Sequence, residues 1–359
     1  MKILCVIDSL GSGGAQRQLV FLALEFKKRG YDVSFLVYHR ENFFKDILVN
    51  VKIQIVEIIE PSYLKRLFKI RKYIRNGNYN AVLSFLEAAN FICEFAGLPR
   101  RNWKLVVGER SSNPNIFESY KLRFYRWFHI FADFVVSNSY ENLKMVRMIN
   151  PLLPERKCKV IYNIVDFDIW KPTCDYTFFK GEKLNMVVVA SHQYLKNAQG
   201  LIKAVQCLTN EDKSKLKIDW YGDEQPNNSL KEAKELVLKY KLEKIFSFFA
   251  ASKNISQKME SADVLGLFSF YEGLPNVICE SMMLGKTVIA SNVSDIPLLI
   301  DEEFIFDPKN ISEIKSILSF LIKLPENELT KHGAQNKKKA LALFDKNYIV
   351  DSYLNLFTR

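Results

Sequence analysis

A chain of 359 residues that is 48% hydrophobic and 25% charged has an ordinary globular composition and exceeds one usual hydrophobic core, so two domains are expected. Its six cysteines (Cys5, Cys93, Cys158, Cys174, Cys207, Cys279) form no CxxC pair, which argues against a disulfide scaffold or zinc module and for reduced thiols. The net charge of +11 belongs to one half: residues 1–165 carry 26 Lys and Arg against 14 Asp and Glu, and residues 166–359 carry 25 against 26. No apolar run approaches the roughly eighteen residues of a membrane span, and the opening run at residues 1–8 is too short for a secretory signal and lacks a cleavage site.

The chain opens with a strand-like run at residues 2–7. Gly11, Gly13 and Gly14 follow, then a helical pattern over 15–29. Strand, glycine turn and helix make a place where backbone can approach a phosphate closely. A dinucleotide fingerprint would need a third glycine at position 16, which is Gln16, so that reading is weak. Further strands are expected at 33–38, 53–57, 81–85, 104–107, 134–137 and 159–162.

Two basic segments lie among these strands. Residues 63–75 combine Lys65, Arg66, Lys69, Arg71, Lys72 and Arg75 with Leu64, Leu67, Phe68, Ile70 and Ile74 at helical spacing, and residues 121–131 are basic and strongly aromatic. Singly, each is equally well read as a surface helix with solvated charges. Together they fit an anionic membrane surface or a lipid phosphate. No recognised nucleic-acid module accompanies them. His129 lies in the aromatic run and reads as packed rather than catalytic. His39, His129, His192 and His332 form no metal spacing.

Residues 166–182 lack periodicity and read as a linker. Asp166 and Asp168 have an Asp-x-Asp spacing, but two oxygens are a weak metal signal, and they are read as linker chemistry. Beyond lie strand-like runs at 185–189, 217–221, 245–249, 264–268, 287–290 and 304–306, with helical patterns at 197–208, 229–240 and 312–324. This alternation predicts α/β layers around parallel sheets, with ligands at the C-terminal strand ends. Three such loops are expected to line one face, around 191–197, 222–226 and 271–276. Lys196 stands at a helix start, where it opposes the dipole unless a phosphate is held there. In the third loop Glu272 lies beside Gly273 and Pro275. Asn276 reads as the N-cap of a short helix that carries Glu280 and stops at Gly285.

Residues 263–297 closely resemble the donor-binding segment of glycosyltransferase family 4. In that family a Glu-x7-Glu pair lies between an Ala-Asp strand and a Gly-x-Pro-Val-Ile-Ala strand. Ala262-Asp263 and Gly285-Lys-Thr-Val-Ile-Ala290 occupy those flanks here. The likeness continues at Leu10-Gly-Ser-Gly-Gly-Ala-Gln-Arg17, Val160-Ile-Tyr-Asn-Ile-Val-Asp166, Lys196-Asn197 and Tyr221-Gly222-Asp223. It implies a GT-B fold, two Rossmann-like doubly wound domains facing each other across a cleft. Residues 1–165 would bind the acceptor and 183–344 the nucleotide sugar, with 166–182 as linker and 345–359 as a helix crossing back to the first domain.

The resemblance also implies roles. Glu272 with Gly273 and Leu274, in a loop completed by Pro275 and Asn276, would hold the donor sugar, and Glu280 the ribose. Lys196 would meet the diphosphate, with Ser191, Asn197 and Gly222 around it, and Gly13, Gly14 and Arg17 would close over it. Residues 250–255 would lie near the base. Glu109, Arg110, Ser111 and Asn113 fall on the acceptor side, where many relatives carry a histidine. Glu272, Lys196 and Glu109 are the expected catalytic residues. Two departures stand out: Ser191 replaces a usual arginine, for which His192 would substitute in part, and Ser294-Asp295-Ile296-Pro297 replaces a common Gly-Gly-x-Pro.

The implied activity is retaining transfer of a hexose or N-acetylhexosamine to a lipid-linked or other glycan acceptor. The donor would be a nucleoside-diphosphate sugar, a UDP-sugar foremost, with no bound cofactor and no metal. Lys196, Arg17 and helix N-termini would stabilise the leaving group. Glu272 suits sugar positioning better than nucleophilic attack. The protein would sit at the inner face of the cell membrane from the cytoplasm, without a nucleic-acid partner. A GT-B epimerase or phosphorylase, or a non-catalytic nucleotide-sugar or polyanion-binding protein, are the alternatives.

Overall fold

Thirteen strands, all paired in parallel, form two sheets in the computed structural model, which describes residues 1–110, 114–167, 169–172 and 183–358. Met1–Ile164 and Lys346–Arg359 make one unit, and Val165–Asp345 the other. The first contains β1 (Lys2–Val6), β2 (Asp32–Val37), β3 (Gln54–Glu57), β4 (Ala81–Phe85), β5 (Lys104–Glu109), β6 (Phe134–Ser137) and β7 (Cys158–Val160), in the order β3-β2-β1-β4-β5-β6-β7. The second contains β8 (Leu184–Val189), β9 (Leu216–Tyr221), β10 (Phe246–Phe249), β11 (Val264–Leu267), β12 (Thr287–Ser291) and β13 (Ile305–Phe306), in the order β10-β9-β8-β11-β12-β13. Each order reverses once, between β1 and β4 in the first unit and between β8 and β11 in the second. Those reversals are the places where a doubly wound sheet opens to a ligand.

The central strands are buried along nearly all their length because helices cover both faces, so they read as mainly apolar runs. In the first unit, helices Gly14–Lys28 and Lys346–Thr358 share one face, where Phe26 meets Phe357 edge-on at 5.7 Å. Ile349, Val350, Tyr353, Leu356 and Phe357 enter that core. Helices Tyr63–Asn76, Glu87–Gly97 and Tyr120–Trp127 cover the other face.

Two strands end two residues away from their expected bounds. β5 runs two residues further, through Gly108 and Glu109, which pair with Val136 and Ser137 of β6. Packing overrides the poor strand propensity of Gly-Glu there: a side chain at Gly108 would strike the Phe85 ring, and the Glu109 charge is neutralised internally. β7 stops at Val160, ahead of the expected 162. The carboxamide of Gln18 then takes the chain, donating to Ile164 O at 2.9 Å and accepting from Ile164 N at 2.7 Å.

Candidate active site

The reversal point of the second sheet brings two sequence-distant loops together. After β8 the chain makes a short turn, Tyr194–Lys196, and then Asn197 takes a left-handed conformation (φ 59°) to begin helix Ala198–Gln206. Its carboxamide is fully committed, accepting from Gly200 N at 3.1 Å and donating to Pro308 O at 2.8 Å. After β11, Phe270 N donates to Leu195 O at 2.9 Å and joins the two loops by backbone. Across this junction Lys196 Nζ donates to Glu272 Oε1 at 2.5 Å, and both side chains are mostly buried. Leu274 and Pro275 are buried behind Glu272, and helix Asn276–Met283 places Glu280 inward at 6% exposure. That helix ends in a Schellman turn: Gly285 has φ 72°, Gly285 N donates to Met282 O and Lys286 N to Ser281 O. The loop after β9 packs against this group through Gly222, where an added Cβ would lie 1.9 Å from Ala190 O.

Two local expectations need correction. Asn276 is the first residue of its helix and Pro275 takes the N-cap position without a side-chain cap; the fixed proline φ of −70° sets the extended entry. His192 does not replace the missing arginine. It is 4% exposed, lies against Trp220 and Phe248, and burial pulls its imidazole below the usual range, which disfavours the cationic form. Ser191 itself accepts from Gln193 Nε2 at 3.0 Å. Ser294 keeps the left-handed backbone (φ 53°) that a glycine would adopt without strain, so the turn shape survives the substitution.

In the first unit the glycine loop ends at Gly13, the N-cap of Gly14–Lys28, with Arg17 one turn into that helix. Gln16 folds back: its Nε2 donates to Asp8 Oδ1 at 3.0 Å, and its Oε1 fills the space a Cβ on Gly13 would need. Burial pushes the Asp8 carboxyl above the usual range. Glutamine at position 16 therefore occupies the hollow that a dinucleotide-type glycine would leave open.

Glu109 lies elsewhere than at an exposed loop tip facing a substrate. It is 2% exposed, with Oε2 accepting from Arg126 Nη2 at 2.7 Å and Oε1 3.1 Å from His129 Nε2. His129 Nδ1 is 2.7 Å from Glu94 Oε1, and Arg126 Nη2 also reaches Glu87 Oε1 at 3.4 Å. Burial opposes ionisation of Glu109, but Arg126 and His129 outweigh it and hold the carboxyl down to about 2. Burial would likewise depress His129, yet Glu94 and Glu109 push it up to about 9. Burial raises Glu94 against the pull of His129.

Arg110 turns to the opposite side of the sheet, 3.8 Å above the Phe85 ring, with hydrogen bonds to Asn163 Oδ1 and the Tyr353 hydroxyl. Ser111 and Asn113 lie outside the described residues. Beside this cluster, Leu86 has φ 77° and ψ 148°, a conformation that costs a non-glycine residue about 1–3 kcal/mol.

Sequence reasoning missed this network. The available signal was Glu94, a carboxylate inside the apolar run Phe91-Ile-Cys-Glu-Phe-Ala96, which demands a buried partner.

The two basic segments fall on one face of the first unit. Ring contacts run from Phe68 to Phe95, Phe91, Phe124, Phe128 and Phe131, each step between 5.0 and 6.5 Å, and leave Leu64, Phe68 and Phe124 more than half exposed. The cations divide by type. Arg71 and Arg75 donate to the carbonyls that end helix Glu87–Gly97, at Phe95, Ala96 and Leu98. Lys65, Lys69 and Lys72 remain exposed, with Lys69 also meeting Glu60 at 2.5 Å. Among the described residues no group of three His, Cys, Asp or Glu side chains could hold a metal, and no helix is long and apolar enough to cross a membrane; Asp168 and Cys174 lie outside them.

Two family models match the chain in succession: Glycosyltransferase Family 4 over residues 12–169 and Glycosyl transferases group 1 over residues 176–340. A curated relative is the GalNAc-alpha-(1->4)-GalNAc-alpha-(1->3)-diNAcBac-PP-undecaprenol alpha-1,4-N-acetyl-D-galactosaminyltransferase of Campylobacter jejuni, 27% identical over 303 residues, 81% of this chain and 79% of the relative. A second enzyme of that organism, N-acetylgalactosamine-N,N'-diacetylbacillosaminyl-diphospho-undecaprenol 4-alpha-N-acetylgalactosaminyltransferase, is 25% identical with 96% of each chain covered. Among solved structures, HepE of Anabaena in complex with UDP-glucose superposes with a TM-score of 0.87 at 19% identity, covering 100% of this chain and 99% of its own. The two Rossmann-like sheets are those of a GT-B glycosyltransferase, and the two successive family matches make the chain a family 4-like glycosyltransferase.

Proposed function

We propose that the protein is a retaining glycosyltransferase that moves a hexose or N-acetylhexosamine from a UDP-sugar to a lipid-linked glycan. The observation that carries this reading is the Lys196–Glu272 pair at the sheet reversal, ahead of the helix bearing Glu280. An ammonium and the positive ends of two helices suit a diphosphate, and two carboxylates suit sugar and ribose hydroxyls. The Campylobacter relatives are named for undecaprenol-linked acceptors and HepE was solved with UDP-glucose, which supports both substrate classes.

The acceptor hydroxyl attacks the anomeric carbon as UDP leaves. Its oxygen bonds to that carbon, the bond to the phosphate oxygen breaks, and the proton passes to the leaving phosphate. Lys196 and the helix ends take up the charge that develops, so no divalent metal is required. Glu272 Oε1 is already engaged by an ammonium, which favours positioning of the donor sugar over covalent attack. On the first unit, the exposed Lys65, Lys69 and Lys72 around Leu64, Phe68 and Phe124 suit the anionic cytoplasmic leaflet, where a lipid-linked acceptor would lie.

The test is a thermal-shift and turnover screen with UDP, UDP-glucose, UDP-galactose and their N-acetyl forms, each with and without chelator. UDP release that needs an acceptor, survives chelation and conserves anomeric configuration is expected. Epimerised donor, phosphorolysis, or binding without turnover would each replace this reading.

A further inference from the structure

The ends of β4 and β5 lie at and beside the reversal point of the first sheet, and they are held by groups that the transfer reaction does not consume. Arg126 is fully buried, and one nitrogen of its guanidinium reaches both Glu109, the last residue of β5, and Glu87, the first helical residue after β4. His129, also fully buried, joins Glu109 to Glu94, seven positions further along that same helix. Between Phe85 and Glu87 the chain passes through the strained Leu86, whose N–H reaches Gly108 O at 3.4 Å. Ser84 and Asn90 complete the brace, Asn90 accepting from Ser84 Oγ at 2.8 Å and donating to Gly108 O at 3.0 Å.

Such an arrangement is poorly explained by stability. A buried ionic cluster is often no more stable than apolar residues of the same volume, while each unpaired member is costly. Its return is geometric: side chains locked by hydrogen bonds from beneath hold a functional surface within narrow limits. Both contacts of His129 are with carboxylate oxygens, so each needs a proton between nitrogen and oxygen. An imidazolium supplies both at once.

We propose that Arg126 and His129 are positioning residues of the transfer reaction, which lock the ends of β4 and β5 into one arrangement through Glu87 and Glu109. This rests on the transferase reading above, with the first unit as the acceptor side. The lock depends on a proton. Glu94 and Glu109 face His129 directly, and Arg126 lies beyond Glu109 with Glu87 behind it. Arg101, paired with Asp133 at 2.8 Å, acts on Glu94 from the side, and Lys157 donates to Ile130 O and Ala132 O in the following turn. Because the imidazole is raised to about 9, the lock is intact at neutral pH and opens as pH climbs through that value.

The variant Glu94→Gln combined with His129→Gln replaces both partners of the contact by neutral amides. It should fold and bind UDP within about twofold of wild type, since Lys196 and Glu280 are untouched, yet lose about tenfold or more in kcat. The wild-type rate should fall above about pH 9, and the double variant should lack that limb. Hydrogen exchange in peptides spanning residues 81–90 and 104–110 should accelerate in the variant. Wild-type kcat, pH profile and exchange in the double variant would overturn the proposal. In the unaltered protein, ring-nitrogen NMR should show His129 as an imidazolium at pH 7, and a neutral ring there overturns it regardless of how the variant folds. If the wild type turns over no UDP-sugar, the transferase reading fails, whereas exchange and NMR still decide whether the lock exists.

Discussion

Lys196 and Glu272 are 76 residues apart in the chain, follow neighbouring strands β8 and β11, and meet at 2.5 Å. Each neutralises the other while the loops are unliganded. Under the proposed function, an arriving diphosphate would compete with Glu272 for the ammonium, and an arriving sugar with Lys196 for the carboxylate.

Lys196→Ala should therefore weaken UDP binding by about 1.5–3 kcal/mol, roughly ten- to hundredfold in Kd. Glu272→Gln should leave UDP binding equal or tighter, because it removes the competitor, while turnover collapses. Calorimetry with UDP alone separates the two. An unchanged Kd in Lys196→Ala would sink the diphosphate assignment.

Glu280 is buried one and a half turns inside its helix, where a carboxylate suits a pair of ribose hydroxyls. The wild type should prefer UDP over 2′,3′-dideoxy-UDP by about tenfold or more, and Glu280→Gln should erase most of that preference. Equal loss of affinity for both nucleotides in the variant would instead make Glu280 a structural group.

For the membrane face, the informative substitutions are the lysines. Lys65, Lys69 and Lys72 changed together to glutamine should reduce partitioning onto phosphatidylglycerol vesicles by up to about 3 kcal/mol, at about 1 kcal/mol for each cation near an anionic surface. Raising the salt should abolish the difference. Phe68→Ser should lower the binding that persists at high salt. Co-sedimentation reads both, and binding indifferent to all four changes counts against docking through this face. Arg71 and Arg75 belong outside the set, since neutralising them would uncap helix Glu87–Gly97.

Removing the C-terminal helix should unfold the first unit. Ile349, Val350, Tyr353, Leu356 and Phe357 are all buried there, and at about 1.5–3 kcal/mol for each side chain their loss rivals the whole stability of a domain. A chain ending at residue 345 should lose the cooperative melting of that unit, followed by calorimetry. A truncated protein that keeps both transitions would refute this.

Much of the fold was legible because parallel strands buried on both faces, such as β4 and β12, appear as mainly apolar runs between glycine or polar turns. Glu272 and Lys196 were legible as members of strand-end loops, and Glu280 as part of the helix that follows, because glycine, proline and helix patterns flank them. Their mutual contact was not, since it depends on β8 lying beside β11, and strand order is written in no local pattern. Glu109 was expected in the loop after β5 and instead ends the strand itself, facing the interior. Its partners arrive 17 and 20 residues later on an aromatic stretch that reads as surface. Arg71 and Arg75 were misjudged for the same reason: a cation at helical spacing looks alike whether it meets water or carbonyl oxygens.

Gly222 touches no charged group, yet the 1.9 Å left for a side chain measures how tightly the β8 and β9 loops are seated against each other. Even alanine there would wedge the carbonyl of Ala190 outward and carry Ser191 with it. The two loops therefore behave as one body, and whatever shifts the first displaces the second. Variation among donors would have to come from residues on the rim of this pair, because its seam admits no added atom.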